Sequence, residues 1–308
     1  MTKRTFGKSG YSVSALGFGG APIGYLAVEQ DRSAKILSLL LDSGVNFIDT
    51  AASYPGSEEA IGKAIGKRRS EFVLVSKCGQ AFDDLPGEAW SAQVITATVD
   101  RSLKRLQTDH LDVMLLHSCG LEKLKAGDGI GALVKARDAG KIRFVGYSGD
   151  NEAAAYAAAH PEIAVIETSI NIADQHNIDV VLPVCRQHNV GVIAKRPIAN
   201  AAWKDASEQR GIYGGYADEY NKRLKQMNLN PAELGFAGEP SQAWPEIALR
   251  FTLSQPGVHT AIIGTTNPEN AKTNIRYAEK GPLPPDVVGK IRSAFAAQDP
   301  QGKWTGQT

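Results

Sequence analysis

The sequence predicts a closed (β/α)8 barrel, and three observations carry that prediction. Eight short apolar runs recur along the 308 residues, with amphipathic helical stretches between them. Several runs are apolar throughout rather than alternating, as strands buried on both faces are. Successive run midpoints lie about 30, 27, 40, 30, 21, 27 and 70 residues apart. The first six gaps each suit one strand–helix unit, because a parallel crossover needs a dozen or more residues. The competing open doubly wound sheet usually announces its nucleotide site with G-x-G-x-x-G. Here Gly17-Phe18-Gly19-Gly20-Ala21-Pro22 puts proline at the third glycine, and Gly127-Asp128-Gly129-Ile130-Gly131-Ala132 follows a stretch that is no strand. Both read as turns.

Taken in order, residues 4–15, with Gly7-Lys8-Ser9-Gly10 in the middle, read as a β-hairpin before the first barrel strand. Barrel strands are expected around Leu16-Gly17-Phe18, Asn46-Phe47-Ile48, 72–75, 111–116, 142–145, 163–166, 190–193 and 260–263. A helix over 31–41 runs into the stop Ser43-Gly44. One over 96–106 sets Val99, Leu103 and Leu106 against Arg101, Lys104 and Arg105 on the opposite face, and one over 130–139 ends at a C′ glycine, Gly140. The interval 198–243 reads as a long functional loop carrying Trp203, Tyr213-Gly214-Gly215-Tyr216 and Tyr220, followed by a helix over 243–253. That loop and the tail 299–308, which contains Trp304, are expected to line the pocket. No linker or repeat appears, so residues 1–308 are read as a single domain.

Composition narrows the partners. Lys+Arg 34 against Asp+Glu 33 leaves a formal charge of +1, which gives no bulk attraction for nucleic acid or an anionic membrane. No apolar stretch approaches the ~20 residues of a membrane span, and no signal peptide is visible. Three cysteines favour a reducing compartment, so a cytoplasmic location is expected. No C-x-x-C or H-x-H spacing points to a metal.

In a barrel of this kind, chemistry sits at the C-terminal ends of the strands. The first strongly polar residues after strands two, three and four are Asp49, Lys77 and His117, with Tyr54 in the loop after Asp49. Ser148 follows strand five, Glu167 strand six, Lys195-Arg196 strand seven, and Gly264-Thr265-Thr266-Asn267 strand eight. Each has a bland reading alone: a capping aspartate, a lysine reaching solvent, a structural histidine. Together, Asp49, Tyr54, Lys77 and His117 form a proton-transfer unit. A tyrosine with a pKa of about 10 is a poor acid–base group at neutral pH until a nearby ammonium favours its phenolate. A carboxylate keeps that lysine charged and placed, and a histidine can donate a hydrogen bond to a carbonyl oxygen. The hydride that completes a reduction must come from a cofactor, since no side chain supplies one.

The chain resembles the aldo-keto reductase family over nearly its whole length. The stretch Gly44-Val45-Asn46-Phe47-Ile48-Asp49-Thr50-Ala51-Ala52-Ser53-Tyr54 is similar to one family signature, and Val99-Asp100-Arg101-Ser102-Leu103-Lys104-Arg105-Leu106, on to Leu115-Leu116-His117, is similar to a second. Gly140-Lys141-Ile142-Arg143-Phe144-Val145-Gly146-Tyr147-Ser148 is similar to the family's entry into strand five. The resemblance implies that Asp49, Tyr54, Lys77 and His117 are the catalytic tetrad and that the cofactor is NADP(H), with NAD(H) as the alternative. It implies cofactor contacts at Gly19, Gly20, Ser148, Glu167, Lys195, Arg196, Pro197, Gly264, Thr265, Thr266, Asn267, Asn270 and Asn274. Ser148 is followed by Gly149 where the family commonly has Ser-Asn, and other positions depart from the family pattern as well. Glu167 replaces a glutamine, Lys195 a stacking aromatic, Asn270 an arginine common there, and Gly264 a lysine that some relatives carry. Asn267 before Pro268 reads as an N-cap with proline at N1, so a helix N-terminus would face an anion.

The expected function is NAD(P)H-dependent reduction of an aldehyde, ketone or sugar carbonyl, reversible to alcohol oxidation, on a small-molecule substrate. Two alternatives stand beside it: a Schiff-base aldolase using Lys77 or Lys195, and a regulatory subunit that binds cofactor with little turnover. Oligomeric state is not legible.

Overall fold

The computed structural model describes residues 1–26, 29–204 and 214–307, with backbone alone at 214–216. A short antiparallel ribbon, β1 (Lys3–Thr5) and β2 (Ser12–Ser14), opens the chain as expected. Eight parallel strands follow: β3 (Leu16–Gly19), β4 (Phe47–Asp49), β5 (Val73–Cys78), β6 (Leu111–His117), β7 (Ile142–Ser148), β8 (Ile163–Ser169), β9 (Gly191–Lys195) and β10 (Thr260–Ile263). They pair in chain order, and β10 closes on β3, so the sheet is a barrel with no free edge.

Two apolar cores hold it. One lies between strands and helices. The smaller fills the barrel with inward residues of most of its strands, among them Phe47, Val75, Val113, Leu115, Val165 and Ile193. Phe6 plugs its lower end from the ribbon, edge-on to Phe47 and His259 at centroid distances of 5.4 and 5.7 Å. The plug seats only because Gly7 has φ +50° and no side chain; a Cβ there would stand 2.3 Å from the Gly191 nitrogen.

The helices start before their expected first residues and finish within one residue of their expected ends. The first expected helix spans Gln30–Asp42, and the third spans Asp128–Asp138 with Gly140 at φ +77°. The second starts earlier, at Ala92–Leu106, because Ser91 caps it by accepting from the Val94 amide at 3.3 Å.

Two expectations are corrected. The interval 198–243 is not one long loop: it contains a helix, Gly214–Met227, and a 3-10 turn, Pro231–Leu234, before the helix Pro240–Leu253. Ala217, Tyr220 and Met227 are buried and Leu224 partly so along one face of the first of these, at helical spacing. Tyr213 lies outside the described residues. The tail does not line the pocket among the described residues. It crosses the loops after β7 and β8 instead. Gly306 donates to Asn151 Oδ1 at 2.7 Å and accepts from Asn151 Nδ2 at 3.1 Å, and Trp304 packs on Phe295 and Arg223. No helix among the described residues is long and apolar enough to cross a membrane.

Candidate active site

The C-terminal ends of the strands surround a cleft of about 520 Å³. Asp49 ends β4 opposite Val75, and Lys77 stands two residues further up β5 on the same face as Val75, so both side chains meet above the barrel core. Lys77 is 1% exposed, and its three N–H bonds go to Asp49 Oδ1 and Oδ2, each at 2.6 Å, and to the Thr50 carbonyl at 3.1 Å. Burial alone would depress this ammonium. The charges of Asp49 and Glu167 outweigh burial and hold it above the ordinary lysine range.

Above the ammonium lies Tyr54, whose ring centroid is 5.4 Å from Lys77 Nζ. His117 meets that ring edge-on, at 6.0 Å between centroids, and its Nδ1 lies 3.5 Å from Ser53 Oγ. Burial, and then the charges of Lys77 and Lys195, push the His117 imidazole down to about 3, so it is neutral at physiological pH. The four residues read from three strand ends and one loop therefore meet in one place.

Glu167, near the end of β8, reaches the same cluster. Its Oε1 accepts from Ser148 Oγ at 3.3 Å, and its Oε2 lies 3.2 Å from Lys77 Nζ. That second contact is an ion pair without an aligned hydrogen bond, since Oε2 has no donor among the described residues. Burial and the Glu167 charge raise the Asp49 carboxyl well above the usual range, against the pull of Lys77.

On the far side, Lys195 ends β9 with its Nζ 3.3 Å from Asp150 Oδ2. Arg196 donates to Ser169 Oγ at 3.0 Å and to the Gln307 carbonyl. Gly19, Ser148, Pro197 and Gly264 line the cleft as well. Gly264 is glycine because a Cβ there would come within 2.5 Å of the Gly19 carbonyl, so a lysine at this position has no room. Gly20 is not among the residues lining the cleft. It packs against Ser57 Oγ and the Asp49 carbonyl and shapes the floor from behind.

Thr265, Thr266, Asn267, Asn270 and Asn274 are not among the residues lining the cleft and form a more exposed rim beyond β10. Asn267 caps the helix Pro268–Glu279 as expected, its side chain accepting from the Glu269 amide at 3.0 Å. Sequence reasoning missed Arg32, whose Nε donates to the Thr266 carbonyl at 2.5 Å from a helix 234 residues away in sequence. It also missed Asp150, two residues past Ser148, which organises the β7, β8 and β9 ends. Gln80 and Tyr25 line the cleft too, the latter 5.5 Å from the Tyr54 ring. No periodicity marks either one.

Geometry and comparison agree. The sequence profile of the aldo/keto reductase family matches residues 15–296. The uncharacterized oxidoreductase YqkF of Bacillus subtilis (strain 168) is 28% identical over 305 residues, covering 95% of this chain and 96% of its own. L-galactose dehydrogenase of Arabidopsis thaliana is 26% identical, covering 89% of this chain and 88% of its own. The solved structure of aldo-keto reductase AKR11C1 from Bacillus halodurans in its holo form superposes with a TM-score of 0.79 at 26% identity, over 96% of both chains. With the barrel closed in this strand order and the profile matched along almost all of it, the chain belongs to the aldo/keto reductase family of oxidoreductases.

Proposed function

We propose that this protein reduces the carbonyl of aldehydes, ketones or sugars with NADPH, or with NADH as the alternative, and runs the reverse oxidation of alcohols. The observation that carries the reading is the stack at the cleft floor. A lysine spends all its N–H bonds below Tyr54, and a neutral histidine stands at the ring edge.

The residues present fit a nicotinamide dinucleotide. Among the described residues, Glu167 Oε2 is a buried acceptor without a donor, as a carboxamide would require, and Asn200 Nδ2 and Trp203 Nε1 are buried donors without acceptors in the segment after β9. Gly19, Ser148, Glu167, Lys195, Arg196, Pro197 and Gly264 would hold one end, with Gly20 behind them. Thr265, Thr266, Asn267, Asn270 and Asn274 would hold the other, beside a helix N-terminus. When bound, the cofactor supplies or accepts the hydride.

The chain's own residues do the rest. His117, neutral, donates to the substrate oxygen and orients the carbonyl. Tyr54 gives its phenolic proton to that oxygen as negative charge develops there, and takes it back in oxidation. The Lys77 cation stabilises the phenolate so formed, and Asp49 fixes the lysine. An aldolase mechanism through Lys77 fits poorly, because Asp49 and Glu167 keep its nitrogen protonated and therefore non-nucleophilic.

Tyr54→Phe removes one hydroxyl and tests the assignment. Cofactor binding should persist while turnover falls roughly 10²-fold or more. Wild-type turnover in the Phe variant, in a reaction limited by chemistry, would sink the proton-donor role. Cofactor binding with no turnover by the wild-type protein on a panel of aldehydes, ketones and sugars would favour the regulatory reading.

A further inference from the structure

The carboxylate of Glu167 is the second one on Lys77: its Oε2 pairs with that ammonium at 3.2 Å but takes none of its hydrogen bonds. Lys77 has three N–H bonds, and Asp49 and Thr50 take all of them. Lys195, the other ammonium facing the cluster, is paired with Asp150. Arg196 is turned to Ser169 and Gln307. His117 is neutral. Glu167 is 3% exposed and lines the cleft, yet one of its oxygens finds no donor among the described residues. A buried acceptor in that state costs free energy unless a ligand satisfies it.

The position of this oxygen matters. It stands 3.2 Å from Lys77 Nζ, which is itself 5.4 Å from the centre of the Tyr54 ring. A group that exchanges hydride with a carbon whose oxygen sits between Tyr54 and His117 must approach that carbon to about 3–3.5 Å, so it shares this floor with Glu167.

We propose that Glu167 makes the bound nicotinamide a stronger hydride donor, by favouring its oxidised, positively charged ring over its reduced, neutral ring. This rests on the reading above that the carrier is a nicotinamide dinucleotide. In carbonyl reduction, a C–H electron pair leaves the ring as hydride and forms the new C–H bond of the alcohol. The Tyr54 proton goes to the oxygen, the carbonyl is reduced, and the ring is oxidised from neutral to cationic. A fixed carboxylate beside the ring lowers the energy of that final charge. A glutamine of the same shape does not.

Burial, and after it the Glu167 charge, raises the neighbouring Asp49 carboxyl, and the two carboxylates share one ammonium.

The test is the ratio of dissociation constants for NADP+ and NADPH, measured by calorimetry and by cofactor fluorescence on the whole protein. Removing an opposite charge at this range typically moves such an equilibrium by about tenfold, which is about 30 mV for a two-electron couple. Glu167→Gln should therefore raise Kd(NADP+)/Kd(NADPH) about tenfold. Glu167→Asp, which keeps the charge, should stay within about threefold of wild type. A Gln variant that binds both forms with an unmoved ratio overturns this inference and leaves the proposed function standing. If Glu167→Asp shifts the ratio as far as Gln does, shape rather than charge is responsible, and the inference also falls. A wild-type protein that binds neither NADP(H) nor NAD(H) sinks the cofactor reading, and this inference with it.

Discussion

Two buried lysines stand on the rim of one barrel, each beside an aspartate, and their ammonium groups are shifted in opposite directions. Asp49 turns both oxygens to Lys77 at 2.6 Å. Asp150 is shared among many donors. Its Oδ1 accepts from Thr168 Oγ1, the Ser169 amide and Asn177 Nδ2 at 2.8, 2.7 and 3.0 Å, and its Oδ2 accepts from Ser169 Oγ at 3.0 Å. Little of Asp150 is left for Lys195, at 3.3 Å. The Lys77 ammonium is accordingly raised by its carboxylates, while Lys195 is lowered by burial that Asp150 does not offset, with Arg196 adding to the effect. The same residue pair thus serves two ends. A carboxylate whose lone pairs are all open to one ammonium fixes that charge beneath Tyr54; one already saturated ties three strand ends together.

The largest effect expected from this difference lies in turnover. Lys77→Met should lower kcat roughly 10²- to 10⁴-fold and move the residual pH–rate profile to higher pH, because the phenol loses its cation. Lys195→Met should stay within about tenfold at saturating cofactor, the low end of what such groups contribute. Asp49→Asn should be milder than Lys77→Met, since Glu167 still faces the ammonium at 3.2 Å. Steady-state kinetics of the three variants across pH decides it. The comparison breaks if Lys195→Met costs as much kcat as Lys77→Met.

A stability effect on the saturated side comes next. Asp174, beside the Asp150 network, accepts from Tyr220 Oη at 2.7 Å, and burial with the Asp150 charge pushes its carboxyl up to about 7. The folded state therefore holds a proton that the unfolded chain releases near the ordinary carboxylate value. The associated stability is complete below about pH 4 and is lost as pH rises toward 7, on the order of 4 kcal/mol. Urea unfolding of the wild type and Asp174→Asn between pH 4 and 8 checks the sign. The variant should lose most of the decline, and parallel curves would refute the assignment.

The Asp49–Lys77 side was legible from the chain alone, while much of the Asp150–Lys195 side was not. Asp49, Lys77 and His117 each follow an apolar run long enough to be a buried strand, so counting along the strand places them on the rim without knowledge of any distance. Glu167 was found in the same way, but its ion pair with Lys77 needs the barrel to be closed. Asp150 belongs to no strand and gives no periodic signal; only the meeting of the β7, β8 and β9 ends shows its work. The helix Gly214–Met227 was legible in principle, through Ala217, Tyr220, Leu224 and Met227, but falls in the interval read as one long loop. The tail's course is set by single contacts such as Gly306 with Asn151, which no local pattern encodes.

The smallest expected effect concerns NADPH against NADH. Recognition of a 2′-phosphate needs cationic side chains or backbone donors. Lys195 and Arg196 are poorly suited: one is paired with Asp150, and the other is engaged by Ser169 and Gln307. At the rim beyond β10, Lys272 pairs with Glu269 at 2.8 Å and Arg276 reaches Thr273 at 2.9 Å, while Asn270 brings no charge. Arg32 is the cation that touches this segment directly, through the Thr266 carbonyl. One charge-assisted contact is worth about 1.5–3 kcal/mol, or one to two orders of magnitude in affinity. The preference for NADPH should therefore stay within about 10²-fold, and Arg32→Ala should reduce it by weakening NADPH binding while leaving NADH nearly unchanged. Dissociation constants for both dinucleotides, in wild type and variant, measure this. A wild-type preference above roughly 10³-fold would mean that more than one cation grips the phosphate, and an Arg32→Ala protein with an unaltered preference would move the search to Lys272 and Arg276.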